Sequence, residues 1–173
     1  RPVGLLFLAA GIATIVLATW PAGRPEPARR PADLLDPRLR NLALLSILLL
    51  AGFFRLYRLD SLPGDMFNDL AHNYMETERI LHGDWMIYGT DFPGREPLVF
   101  YLAALLSRLF GLSFLTLKLT TALAGIATVL VVYLLGREAY SDATGLVAAL
   151  FLAVAKWPVL INRVGFRGSL NPL

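Results

Sequence analysis

Four long apolar runs decide what this chain can fold into. Residues 3–20, 42–57, 115–135 and 144–161 are nearly free of charge, and a bilayer-crossing helix needs roughly 17 to 25 largely apolar residues. Each run is apolar around its whole circumference, unlike the one-sided pattern of a helix on a soluble surface. With 56% hydrophobic residues and a mean hydropathy of +0.58, the 173-residue chain is too apolar for an ordinary soluble domain. The sequence therefore predicts an all-α integral membrane protein, a polytopic helical bundle with juxtamembrane helices outside it. The absence of cysteine excludes disulfides, cysteine-ligated zinc and thiol catalysis. No basic run suggests a nucleic-acid surface. The chain opens on Arg1 and stops at Leu173 just after an apolar run, and is expected to be the N-terminal part of a longer protein.

Lys and Arg in the short loops predict orientation. Residues 21–40 carry Arg24, Arg29, Arg30, Arg38 and Arg40 and are expected to be cytoplasmic. Residues 58–97 hold Arg58, Arg79 and Arg95 against Asp60, Asp65, Asp69, Glu76, Glu78, Asp84, Asp91 and Glu96, and are expected outside. The apolar stretch 98–110 contains Arg108 and is short for a span. Runs of about 10 to 14 residues are more often interfacial or re-entrant, so it reads as an external helix against the outer leaflet, within an external loop 58–114. The next span then runs inward, 137–142 is a cytoplasmic turn, and the last span delivers Arg163 and Arg167 to the side of Asp69 and Arg95. If 98–110 spans instead, those two arginines fall on the opposite side.

Residues 69–81 show helical periodicity. Leu70, Tyr74, Thr77 and Leu81 form one row with Met75 and Ile80 beside it, while His72, Asn73, Glu76 and Arg79 face elsewhere. This predicts an amphipathic helix on the membrane surface, ended by Gly83. Asp69 stands at its start, where exposed N–H groups suit a capping carboxylate, and a catalytic role is compatible with that. Asp65, after Gly64, reads first as a turn residue. Asp69 and His72 are three apart and can reach one divalent cation from a single turn, which leaves a metal requirement open. Arg95 and Glu96 precede Pro97. Arg95, and the pair Arg163 and Arg167 around Gly165-Phe166, read either as interfacial anchors or as ligands of an anion.

The order of these features is more specific than any one of them. The run Phe54-Arg55-Leu56-Tyr57-Arg58-Leu59-Asp60-Ser61-Leu62-Pro63 is followed by Asp69, by Arg79-Ile80-Leu81-His82-Gly83 and by Gly94-Arg95-Glu96-Pro97-Leu98. Then come Leu109-Phe110-Gly111-Leu112-Ser113, Tyr133-Leu134-Leu135-Gly136-Arg137, and residues 141–167. Together they resemble the first membrane helix and first external loop onward of the GT-C glycosyltransferases of family 39, related to protein O-mannosyltransferases and the lipid A aminoarabinose transferase. The resemblance covers about residues 52–173. It divides the chain into 1–40, an additional transmembrane helix with a basic cytoplasmic loop, and 41–173, the N-terminal part of a GT-C-like catalytic module.

The resemblance implies transfer of a sugar from a polyprenyl-phosphate carrier on the extracytoplasmic face of a bacterial or archaeal plasma membrane. Carrier and membrane lipid would be the partners; the acceptor stays open. Asp69 matches the loop aspartate that acts at the acceptor. Where relatives usually have a second acidic residue, this chain has Leu70, with Asp65 as a candidate substitute and His72 and Glu96 as supporting groups. Arg95 matches a basic position that contacts the carrier phosphate, and Arg163 and Arg167 match basic positions of the second external loop. Two other readings stand beside this one. A transporter or flippase would place its ionisable groups near the bilayer midplane, where Lys118 is the clearest interior charge. A purely structural subunit would tolerate loss of Asp69 and Arg95 together.

Overall fold

The computed structural model describes residues 35–64, 68–85 and 96–170. The expected span 3–20, Asp65 and Arg95 lie outside the described residues. Every regular element described is helical: α1 (Pro37–Leu56), α2 (Asn68–Leu81), α3 (Leu98–Phe110), α4 (Phe114–Ala139), α5 (Asp142–Val154), α6 (Lys156–Arg163), and a final 3₁₀ turn (Arg167–Leu170).

Local sequence signals set the helix starts. Asp36 accepts from the Arg38 N–H at 2.7 Å, ahead of Pro37 in the first turn of α1. Ser113 and Ser141 cap α4 and α5 by accepting from the N–H groups of Thr116 at 3.1 Å and Thr144 at 3.2 Å. Gly111, at φ 81°, ends α3 and lets the chain turn within three residues into α4.

The 20 residues of α1 and the 26 of α4 are each long and apolar enough to cross a membrane. Helices α5 and α6 meet that test only as a pair, bent by 56° at Ala155. Pro158 contributes to the break, because it has no N–H to return to Val154.

α1, α4 and α5 pack around Ile47, Ala51, Val129, Tyr133, Ala149 and Ala153. Several of these are small, which suits a setting where helix association depends on close packing rather than on escape from water. α4 and α5 cross most closely at two glycines: a Cβ on Gly136 would lie 2.9 Å from Gly145 Cα. The outward side of α1 exposes Leu39, Leu42, Leu45, Leu49 and Phe53, an apolar stripe suited to lipid. The chain is an all-α membrane protein.

Polar contacts fasten the two ends. At one, Asp142 is buried and accepts hydrogen bonds from Arg40 Nη1 at 3.1 Å and the Tyr133 hydroxyl at 3.1 Å, with Arg137 Nε at ion-pair distance, 2.9 Å, but not aligned to donate. This joins the start of α1, the end of α4 and the start of α5. At the other end lie the close of α1, the start of α4 and the close of α6, together with α2 and α3. α3 both begins and ends here. Glu96, just before it, pairs with Arg167, and Gly111, just after it, accepts from Thr116 of α4. α3 buries Val99, Phe100, Ala103, Ala104 and Ser107 and exposes Leu98, Leu102, Leu105, Leu109 and Phe110. That second apolar face fits a helix lying against lipid.

Candidate active site

The end of the molecule that holds α2 is organised by cations bound to backbone carbonyls. Arg163, closing α6, donates from Nη1 to the Phe54 carbonyl at 2.8 Å. Its Nη2 donates to Tyr57 at 2.8 Å and Leu62 at 2.9 Å, with a longer contact to Arg58 at 3.4 Å. Lys118, buried in the first turns of α4, donates from Nζ to the Pro63 carbonyl at 2.6 Å. Two basic side chains from two helices thus fix the segment 57–64, which leads into α2. A helix end in or near hydrocarbon leaves carbonyls that water cannot reach, and arginine, with five N–H groups, can serve several at once.

α2 is docked by its first two turns. Leu70 is fully buried with Ala103 and Leu117, and Asn73 Nδ2 donates to the Gly165 carbonyl at 3.0 Å. Gly165 sits at φ 73°, and a Cβ there would lie 2.7 Å from Leu70 Cδ1. The positive φ favours glycine at this position, and a side chain there would also have to displace the Leu70 methyl.

The expected row of α2 is buried at Leu70, Thr77 and Ile80 and half-buried at Tyr74 and Leu81, but the buried side is wider than that row. Asn73 and Glu76 are buried and Met75 is exposed. For Asn73 the reason is tertiary: α2 lies against the turn after α6, whose carbonyl takes the Asn73 donor; Glu76 lies 3.6 Å from Arg79 of the same helix. The Oδ1 of Asn73 and one carboxylate oxygen of Glu76 have no hydrogen-bond partner among the described residues.

The candidate residues fall as follows. Asp69 is exposed in the first turn of α2, next to the buried Leu70, with no side-chain hydrogen bond or ion pair among the described residues. His72 is half-buried on the same turn. Glu96 and Arg167 form an ion pair at 3.5 Å, both partly in the open, which brings the start of α3 to the turn after α6. Arg163 lies within the same turn region, but its guanidinium faces the α1 carbonyls. Gly165 links these pieces, since α2 sits on it and Arg167 follows two residues later. Among the described residues no group of three His, Asp or Glu side chains is gathered in a way that could hold a metal ion.

Sequence reading did not single out Asn73, Gly165 or Arg55 for a role. Arg55 is fully buried in the last turn of α1. It lines a cavity of about 330 Å³ whose walls include Thr128, Leu152, Trp157, Ile161 and Asn162. Its signal was present as a charge inside an apolar run, three residues before Arg58.

Residues 92–165 match the model of one protein family, described as dolichyl-phosphate-mannose-protein mannosyltransferase. That match supports a glycosyltransferase of the GT-C type. It takes in α3, α4, α5, α6 and Gly165. No curated protein and no solved structure matches the chain.

Proposed function

We propose that this chain belongs to a membrane glycosyltransferase that moves a sugar from a polyprenyl-phosphate carrier to an acceptor hydroxyl on the extracytoplasmic face. The observation that carries the reading is a coincidence. The segment matching the mannosyltransferase family ends at the turn 163–167, and that turn meets the Asp69 end of α2 and Glu96 at one end of the bundle.

In this reading the acceptor oxygen attacks C1 of the carrier-bound sugar. The bond from C1 to the phosphate oxygen breaks, its electron pair leaves with the carrier phosphate, and Asp69 takes the acceptor proton. A hydroxyl is a poor nucleophile at neutral pH, and a positioned carboxylate base contributes about 10²–10⁴-fold. Arg167 and Arg95 stabilise the charge gathering on the departing phosphate, which arginine suits through paired N–H donors. Arg163, engaged with the α1 carbonyls, serves by holding the segment that leads to Asp65 and Asp69. His72 and Glu96 support the same end, Glu96 by holding Arg167 when no phosphate is bound. Asp69 and His72 are the donors nearest in sequence for a divalent metal; with no third donor gathered among the described residues, no step is assigned to one.

A transporter is the second reading, favoured by the broken pair α5–α6 beside buried Arg55, since discontinuous helices mark transporter binding sites. The test is release of free polyprenyl phosphate when the protein, in proteoliposomes, meets a panel of polyprenyl-phosphate sugars with candidate acceptors. Release from one donor supports the transferase and names its sugar. No release from any donor, with insertion verified, contradicts it and brings the transporter forward.

A further inference from the structure

Arg55 has no exposed surface, and none of its hydrogen-bond partners among the described residues is a carboxylate. Its Nε donates to Asn162 Oδ1 at 3.0 Å and its Nη2 to the Leu152 carbonyl at 3.2 Å. Its Nη1 donates to the Ala153 carbonyl at 3.1 Å, with a longer contact to Ala51 at 3.4 Å. Two of these acceptors, Leu152 and Ala153, close α5, and Asn162 stands on α6. One guanidinium therefore touches both halves of a broken span.

The chemistry of the break explains why a cation belongs there. The last amide returning to α5 is that of Ala155, to Phe151 at 2.9 Å, and the ladder of α6 opens with Val159 donating to Ala155 at 3.2 Å. In a straight helix the Leu152 and Ala153 carbonyls would be taken by the amides four residues on; the bend leaves them to other donors. An unsatisfied carbonyl in hydrocarbon costs several kcal/mol, and a buried arginine is itself expensive unless backbone carbonyls or other partners receive it. Each deficit answers the other.

Packing does little to fix the angle. Within α6 only Asn162 is buried, and a cavity of about 330 Å³ lies along its inner side, lined by Trp157 and Ile161 of α6, Thr128 of α4 and Arg55, and reaching α5 only at Leu152. Polar contacts hold Asn162 from the other side as well. Its carbonyl accepts from Thr121 Oγ1 at 2.7 Å, and Gly125 leaves it room, since a Cβ there would overlap the Asn162 amide and come 2.8 Å from Arg55 Nε.

We infer that Arg55 is a positioning residue: it sets the angle between α5 and α6, and through α6 the place of the Arg163–Arg167 turn beside α2. The geometric part stands by itself; its consequence for turnover rests on the transferase reading.

The test measures distances between nitroxide labels in the full chain in lipid nanodiscs. One pair, on exposed Val147 of α5 and Leu160 of α6, spans the break. A control pair, on Val147 and Leu123 of α4, does not. Arg55→Met is expected to move the first distance to longer values as the bend opens, with the control distance unchanged. Arg55→Lys recovers part of the shift, because a single ammonium can serve only some of the acceptors. Asn162→Ala, which spares the buried charge, gives a smaller shift in the same direction, and it decides alone if Arg55→Met does not insert. Wild-type distances in both Arg55→Met and Asn162→Ala, even with lowered thermal stability, overturn the inference, since a residue that only stabilises would behave so. The readout needs no sugar donor. An inactive protein with a shifted angle leaves the inference standing, and an active one with an unmoved angle removes the inference but not the transferase.

Discussion

Arg55 and Arg163 serve the same two helices in opposite directions. Arg55, near the end of α1, donates to Asn162 of α6 and to the last carbonyls of α5. Arg163, the last residue of α6, donates back to the carbonyls that close α1 and open the segment after it. Among the described residues neither arginine is bound by a carboxylate; backbone oxygens, with the Asn162 amide oxygen at Arg55, take their N–H groups, so each satisfies helix ends that a membrane leaves without water. The exchange makes the end of α1, the break before α6 and the entry to α2 one connected unit.

Replacing Arg163 tests that unit without touching the break. Arg163→Met is expected to lower unfolding stability in detergent by about 2 kcal/mol, the scale of hydrogen bonds to a charged group. Arg163→Lys recovers only part, because one ammonium cannot span the carbonyls of Phe54, Tyr57 and Leu62. Wild-type stability in Arg163→Met contradicts the assignment.

The clamp at the far end is the stronger electrostatic site. Asp142 has 2% side-chain exposure between Arg40 at 20% and Arg137 at 36%. Removing one partner of a buried ion pair strands the other. Asp142→Asn is therefore expected to cost about 3 kcal/mol, at the lower end of that class because both arginines reach solvent. A double-mutant cycle with Arg40→Met checks it, and additive losses would show the contact to be incidental.

Glycines of α1 and α5 are expected to respond oppositely to alanine. At Gly145 a Cβ would lie 2.5 Å from the Tyr133 carbonyl oxygen and 2.9 Å from Arg137 N. Gly145→Ala should cost about 1–3 kcal/mol through overpacking. At Gly52 the nearest atom is 3.9 Å away, so Gly52→Ala should be neutral or stabilising by up to about 1 kcal/mol. Thermal melts of both variants decide it; equal losses would mean that the α4–α5 crossing is not set by close contact at Gly145.

The pair Glu96 and Arg167 separates carrier binding from stability. Because both are partly exposed and 3.5 Å apart, Glu96→Gln should change stability by less than about 1 kcal/mol. Arg167→Gln should raise the carrier KM about 10-fold or more, as expected for losing a charged hydrogen bond to phosphate. An unchanged KM in Arg167→Gln removes this residue from the donor site.

The helical membrane class was legible because uninterrupted apolar runs leave few alternatives at this composition. The start of α2 near Asp69 was legible for a similar reason, since helical periodicity begins there. Asn73 was not legible as a buried residue, because it docks on a carbonyl after α6, some ninety residues away in sequence. The break at Ala155 had a local signal in Pro158 that the apolar run around it masked. Arg163 read as an interfacial anchor or an anion ligand, the former being the ordinary fate of arginine at the end of a span, and Arg55 stood only as one charge in an apolar run. Only the fold shows that Arg55 serves the Asn162 side chain and the last carbonyls of α5, and that Arg163 serves the carbonyls at and after the end of α1.

The most direct measurement of the central claim compares wild type with Asp69→Asn, both correctly inserted, for the rate at which free polyprenyl phosphate leaves the preferred donor in the presence of acceptor. The account predicts a fall in kcat of about 100-fold or more, with the carrier KM little changed. Near wild-type turnover in Asp69→Asn would contradict it.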